Sequence, residues 1–186
     1  MKKILLIGLK LGLICMVTSL SLGFVNVVTL PSIAKNKEIA LQKALAIVNS
    51  TGTPGEEVFI NGDNVVKSYY PVKLNNGEIN SYILTLIGEG YGGDLFLLAN
   101  YEKSGKLISS VLMEHKETPG LGDSAERSFY HTKFIGKGDD TPIPTKKSEL
   151  SVADADAIGG ATITFLGVAN ALSHGSDYVK KIGEKK

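Results

Sequence analysis

Asp156-Ala157-Ile158-Gly159-Gly160-Ala161-Thr162-Ile163-Thr164 leads directly into the amphipathic run Phe165 to His174. Two consecutive glycines free the backbone for turns closed to other residues, and they let a ligand approach the main chain without meeting a Cβ. The helix that follows leaves the amides of its first turn unpaired, and with the axial dipole these suit a phosphate monoester or diester. Thr162 stands at that mouth. Alone, a Gly-Gly-Ala-Thr string describes ordinary helix capping better than a ligand site, so a phosphate site needs a second motif.

That motif is Glu114-His115-Lys116-Glu117-Thr118-Pro119-Gly120-Leu121-Gly122-Asp123, which follows an apolar strand-like run. Thr-Pro followed by two glycines describes a rigid, exposed loop with close backbone access. Together the two stretches resemble the FMN-binding domain of the G subunit of Rnf electron-transport complexes and of the related C subunit of sodium-translocating NADH:quinone reductase. In that family an Asp, two spacers, Ser or Thr, then Gly-Ala-Thr marks where FMN is esterified through its phosphate to the last Thr. The resemblance thus implies covalent FMN on Thr162, with Asp156 in the element recognised by a flavin transferase; from its residue type alone Asp156 reads equally as a turn carboxylate bonded to backbone before the helix. Gly159, Gly160, Ala161, Ile163 and Thr164 are implied to surround the phosphate, and Gly159 stands where the family has Ser or Thr. The Glu-Thr-Pro-Gly-Leu-Gly loop is implied to lie by the flavin: Glu117 and Thr118 at its polar edge, Leu121 on the ring face, Gly120 and Gly122 in the backbone around it. Gly90-Tyr91-Gly92-Gly93 resembles a segment of the same family that would put Tyr91 at the pocket. From its residues alone it reads as a bulge or tight corner.

Toward the N-terminus, Leu11 to Leu30 carries no charged residue and, at ~1.5 Å per residue, spans roughly the 30 Å hydrocarbon core of a bilayer. A cleavable signal peptide ending near Ser32-Ile33-Ala34 is the rival reading, but the apolar run is long for a signal core and Pro31 comes only after it. One transmembrane helix is therefore expected, dividing the chain into residues 1–34, a cytoplasmic N-terminus and membrane helix, and 35–186, a soluble domain. Lys2, Lys3 and Lys10 before the span balance Lys35, Lys37 and Lys43 after it, so charge does not orient it. The resemblance does, implying a single-pass protein of the cell membrane with its FMN domain on the extracytoplasmic side. Cys15, the only cysteine, lies inside the span and excludes a disulfide or thiolate cluster within the chain. Asn26 and Thr29, polar for a lipid-facing helix, fit either a side that packs against other membrane subunits or simple placement at the membrane interface.

After Pro31, Lys35 to Asn49 reads as a separate short amphipathic helix, ended by Thr51-Gly52-Thr53-Pro54-Gly55. Val65 to Tyr70, Ile79 to Gly88, Leu95 to Tyr101 and Leu107 to Met113 read as strands, with Asn75-Asn76-Gly77 and Ser104-Gly105-Lys106 as hairpin turns. Asp123-Ser124 can cap a helix to about His131, and Lys180 to Lys186 reads as a solvated basic tail. The expected fold is α+β: an N-terminal transmembrane helix, then an antiparallel sheet flanked by helices.

A formal net charge of +1 gives no basic stripe for nucleic acid. His115, His131 and His174 have no metal-ligand spacing and read as exposed or capping residues. No dinucleotide fingerprint is present, so direct NADH binding is not expected. The resemblance implies an electron carrier within a translocating ferredoxin:NAD+ oxidoreductase, with other membrane subunits as partners and no complete reaction alone. Two alternatives stand: an anchored module holding FMN or another phosphorylated ligand reversibly, and a subunit of the NADH:quinone reductase type. A structural subunit with an unused motif is a further possibility.

Overall fold

Alternation of apolar residues in Ile79–Glu89 and Asp94–Glu102 sets up the centre of an antiparallel sheet. The computed structural model, which describes residues 2–49 and 52–183, builds it from β1 (Thr53–Pro54), β2 (Val58–Phe59), β3 (Val66–Lys73), β4 (Ile79–Glu89), β5 (Asp94–Glu102) and β6 (Leu107–Glu114). The order is β1-β3-β4-β5-β6, with β2 also on β3. Every pairing is antiparallel, and Ile83 stands opposite both Tyr70 and Asn100. The two expected hairpin turns form, with Gly77 and Gly105 at φ of 84° and 87°, conformations that glycine adopts at little cost. β1 and β2, two residues each, are too short for a period-two pattern to announce them.

One face of the sheet is covered by α4 (Thr162–Gly183). Phe165, Val168, Ala169, Leu172 and Val179 recur at helical spacing and join Tyr82, Leu84, Leu86, Leu95, Leu97 and Tyr101 in one buried cluster. Full burial of each large apolar side chain contributes about 1.5–3 kcal/mol. The helix can lie this close because glycines face each other: a Cβ on Gly88 of β4 would overlap the Gly167 carbonyl, and one on Gly167 would overlap that of Glu89. The Tyr101 hydroxyl, buried in the same seam, donates to the Leu172 carbonyl at 2.9 Å. α4 runs on through Lys180 and Lys181, so the first half of the expected basic tail is helical, with its cations favourably placed at the C-terminal end of the dipole. Glu184 to Lys186 lie outside the described residues.

Chain-wise, Met1–Gln42 and Lys43–Lys186 form two compact units. α1 (Lys2–Val48) is continuous, with Pro31 inside it; the separate helix expected after that proline does not exist. Pro31 lacks the amide for one intrahelical bond, a cost of about 3 kcal/mol. Strong helix formers from Ala34 to Ala46, with no glycine among them, carry the helix past it. Among the described residues α1 is the single helix that is long and apolar enough to cross a membrane by itself, and its most apolar window is unburied. Its last carbonyl is satisfied by the sheet: Val48 accepts from Asn100 Nδ2 at 3.0 Å and from Ser109 Oγ at 2.7 Å. Of the expected Thr51–Gly55 breaker, Thr51 lies outside the described residues.

The helix expected from Asp123 to His131 is two pieces, a 3-10 turn at Gly122–Glu126 and α2 (Ser128–His131), separated by Arg127 in an extended conformation. The break lets the His131 ring turn back to the Ala125 carbonyl at 2.9 Å while its other nitrogen meets the Ser110 hydroxyl at 2.8 Å. Because a carbonyl only accepts, Nε2 carries the hydrogen and Nδ1 accepts from Ser110. The ring is buried, not exposed or capping. Burial pushes its pKa down from 6.5 to about 4, the Ala125 bond opposing and the Lys133 charge reinforcing that shift. The unfolded chain therefore binds this proton more readily, and stability present above pH 6.5 is lost as pH falls toward 4, on the order of 3 kcal/mol. Urea midpoints of the detergent-solubilised protein should fall over that window. His131→Leu should be less stable at pH 7 and should lack that part of the decline; an equally steep decline in the variant would contradict the assignment.

Candidate functional site

β6 ends at Glu114, and three residues later the chain turns a carboxyl group inward. Glu117 is 7% exposed. Its Oε2 accepts from the Thr164 hydroxyl at 2.5 Å and its Oε1 from the Gly92 amide at 3.0 Å. A buried carboxyl is costly unless its oxygens are bonded, and here both are. The partners come from the β4–β5 corner and the first turn of α4, so one side chain ties three separate segments together. The glycines of those segments leave it room. A Cβ on Gly122 would overlap both the Glu117 carboxyl and the Thr164 hydroxyl; one on Gly90 would overlap the same carboxyl, and one on Gly92 the Lys116 carbonyl. Tyr130 is buried nearby, its hydroxyl pKa raised by burial first and by the charge of Glu117 second.

The glycine-rich turn is approached through α3 (Val152–Ile158), whose first turn is capped by Ser151 Oγ accepting from the Asp154 amide at 3.2 Å. α3 and α4 meet at 116°. Gly159 makes that corner at φ +55° and ψ −131°, a conformation side-chain-bearing residues rarely adopt, so the chain here requires glycine. Its carbonyl accepts from Lys147 Nζ at 2.5 Å. No atom lies near the place a Cβ would occupy on Gly159 or Gly160, so the turn offers an open backbone surface. Thr162, the first residue of α4, is exposed, and the first α-helical bond behind it runs from the Phe165 amide to Ala161.

Between loop and turn lies a cavity of about 390 Å³. The loop contributes Glu117, Thr118, Leu121 and Gly122; the turn contributes Gly160, Ala161, Ile163 and Thr164; the β4–β5 corner contributes Tyr91. Three large apolar groups at its rim are open to solvent: Tyr91 at 74%, Leu121 at 54% and Ile163 at 50% exposure. Gly120 bends the loop at φ +81° without lining the cavity; Gly159 and Asp156 lie on the approach, and Thr162 sits beside the wall residues Ala161 and Ile163. A larger cleft of about 540 Å³ shares Ile163 and runs along α4 past His174, whose Nε2 meets Asp63 at 2.8 Å. His174 thus pairs with a carboxylate, and no cluster of three or more possible metal ligands exists among the described residues.

Residues 90–176 match the model of the FMN-binding domain family. The match begins at Gly90, beside the Glu117 carboxyl, and ends at Ser176 in α4, so all three glycine-rich elements fall within it. The chain is similar to the G subunit of a proton-translocating ferredoxin:NAD(+) oxidoreductase complex from Clostridium ljungdahlii, at 27% identity over 172 residues, 91% of this chain and 88% of that one. It is similar to the G subunit of an ion-translocating oxidoreductase complex from Haemophilus influenzae, at 28% identity over 88% of this chain and 84% of the relative. The C subunit of a Na(+)-translocating NADH-quinone reductase from Yersinia pestis is 32% identical over 59% of this chain, which spans 44% of the relative's length. A crystal structure of NqrC from Shewanella oneidensis shares the fold, with a TM-score of 0.52, 22% identity and 70% coverage of each chain.

Glu117 gives the domain its most testable contact. Thr164→Val keeps the shape but leaves Oε2 without its hydroxyl donor, at a cost of about 1–3 kcal/mol. Urea unfolding should show that loss, with Thr164→Ser close to the parent; a Thr164→Val protein as stable as the parent would show that the bond contributes nothing.

Proposed function

We propose that this chain is the membrane-anchored, flavin-carrying subunit of an ion-translocating oxidoreductase complex of the Rnf type, and that its FMN is bound covalently through a phosphoester to Thr162. What carries the reading is the meeting of two motifs distant in sequence, the Glu117 loop and the first turn of α4, on one cavity beside an exposed threonine hydroxyl. Relatives named as parts of such complexes, similar over most of the chain, support it.

In this reading the amides of Ile163 and Thr164 at the N-terminus of α4 and the bare backbone of Gly159 and Gly160 receive the phosphate. Leu121 and Tyr91 flank the ring and limit water at its faces. Thr118 and the backbone around Gly122 meet its polar edge, while Glu117 keeps its carboxyl engaged with Thr164 and Gly92. FMN supplies acceptance and release of one or two electrons; the protein supplies position and electrostatics. Attachment would replace the Thr162 hydroxyl hydrogen with the flavin phosphoryl group, taken from a flavin dinucleotide whose P–O–P bond breaks and whose nucleoside monophosphate leaves with the proton, so the protein gains FMN less one water and occupancy no longer depends on affinity. A flavin transferase acting on the exposed segment around Asp156 would make that bond. Residues 1–34 are then the cytoplasmic N-terminus and membrane helix, and residues 35–186 the extracytoplasmic domain, docked to other membrane subunits that supply and remove electrons. Coverage of nearly the full length of the Clostridium ljungdahlii relative favours a ferredoxin:NAD+ complex over an NADH:quinone reductase.

Gly159, where the family motif has Ser or Thr, favours one other reading, reversible binding of FMN in the same cavity. Intact mass and peptide mapping after co-expression with a flavin transferase separate the two. The covalent reading expects the FMN-less-water increment on the peptide containing Thr162, absent from Thr162→Ala, which should fold as the parent does. An unmodified parent that retains flavin until denatured would favour reversible binding; a Thr162→Ala protein still carrying covalent flavin would exclude Thr162.

A further inference from the structure

His115 lies outside the cavity but touches both ends of the loop that forms it. Its ring, 10% exposed, receives the Glu117 amide hydrogen at Nδ1 over 3.0 Å, and its Nε2 meets Glu126 Oε1 at 2.8 Å. A nitrogen that accepts an amide hydrogen carries none of its own, so the ring hydrogen sits on Nε2 and is donated to Glu126. Glu126 closes the 3-10 turn that follows the loop, and Glu117 opens the loop. One imidazole therefore bridges the point where the chain leaves β6 and the point where it returns.

We propose that His115 is a positioning residue for the flavin cavity: oriented by Glu126, its Nδ1 fixes the Glu117 main chain so that the carboxyl is held between the Thr164 hydroxyl and the Gly92 amide. This rests on the flavin reading above for its functional meaning, though not for its geometry. The Glu117 side chain reaches Gly92, 25 residues away, and Thr164, 47 residues away. A carboxyl with two such partners needs its own backbone held still, and the loop's glycines at 120 and 122 supply no stiffness. The Glu117 amide bond to His115, which does not line the cavity, supplies it. Glu126 is 63% exposed, so its bond to the ring orients the imidazole more than it stabilises the protein.

The test compares amide hydrogen exchange in the flavin-free full-length protein in detergent, read by NMR at Glu117 and Gly92, with core amides such as Leu84 as reference. His115→Phe keeps the ring but removes the acceptor. It should speed exchange at both amides by about tenfold or more while Leu84 is unchanged. His115→Asn can place its amide oxygen where Nδ1 stood and should bring both back to within about twofold of the parent. Should His115→Phe fail to fold, His115→Gln, which reaches toward Glu126 without an acceptor at the Nδ1 position, replaces it with the same expectation. Flavin uptake with a transferase should follow the same order, slowed in His115→Phe and restored in His115→Asn. Parent-like exchange at Gly92 in His115→Phe, or no rescue by His115→Asn, would overturn the proposal. A parent protein that takes up no flavin would count against the flavin reading, and the exchange data would still decide the role of His115.

Discussion

Burial of the Glu117 carboxyl organises this domain. An acidic side chain taken out of water must have its oxygens bonded, and the two donors available, the Gly92 amide and the Thr164 hydroxyl, belong to a hairpin corner and a helix far apart in the chain. Satisfying them brings the loop after β6 against the start of α4 and fixes the corner beside both. The tight space around the carboxyl then explains Gly90, Gly92 and Gly122, whose positions admit no Cβ. The cavity is what remains between three segments held by one group.

Much of this was legible in the sequence. The four long strands declare themselves through alternating and β-branched residues, and their hairpin turns through glycine. The two functional motifs are visible because each compresses its chemistry into a few consecutive residues. What was not legible is what depends on distance through space. Glu117 reads as a group at the flavin's polar edge, and nothing local shows that its oxygens are occupied by Thr164 and Gly92. His115 and His131 read as exposed or capping histidines, yet one clamps the loop and the other is buried between Ser110 and Ala125. The broken helix from Gly122 to His131 follows from that buried ring, and no periodicity encodes it. Pro31 misleads for the opposite reason: a local rule for helix ends is overridden by the strong helix formers on its C-terminal side.

Gly159 illustrates how a departure from a motif can have a structural origin. The angle between α3 and α4 demands a positive φ at that corner, and glycine meets it without strain. The same corner leaves Thr162 exposed and its neighbours bare, with Lys147 bonded to the Gly159 carbonyl behind it. An exposed, open turn of this kind suits the flavin attachment proposed at Thr162. The sheet and α4 beneath it are packed through facing glycines and fully buried aromatic and aliphatic groups, so the cavity is built on a rigid support.

The most direct measurement is a crystal structure of the flavin-loaded protein. The isoalloxazine should lie in the cavity walled by Tyr91, Leu121 and Gly122, with its phosphate at the start of α4 and the Glu117 carboxyl still bonded to Thr164 and Gly92. A ring lying instead in the cleft along α4 beside His174, or a Glu117 carboxyl released from both partners, would contradict the claim that this buried group builds the flavin site.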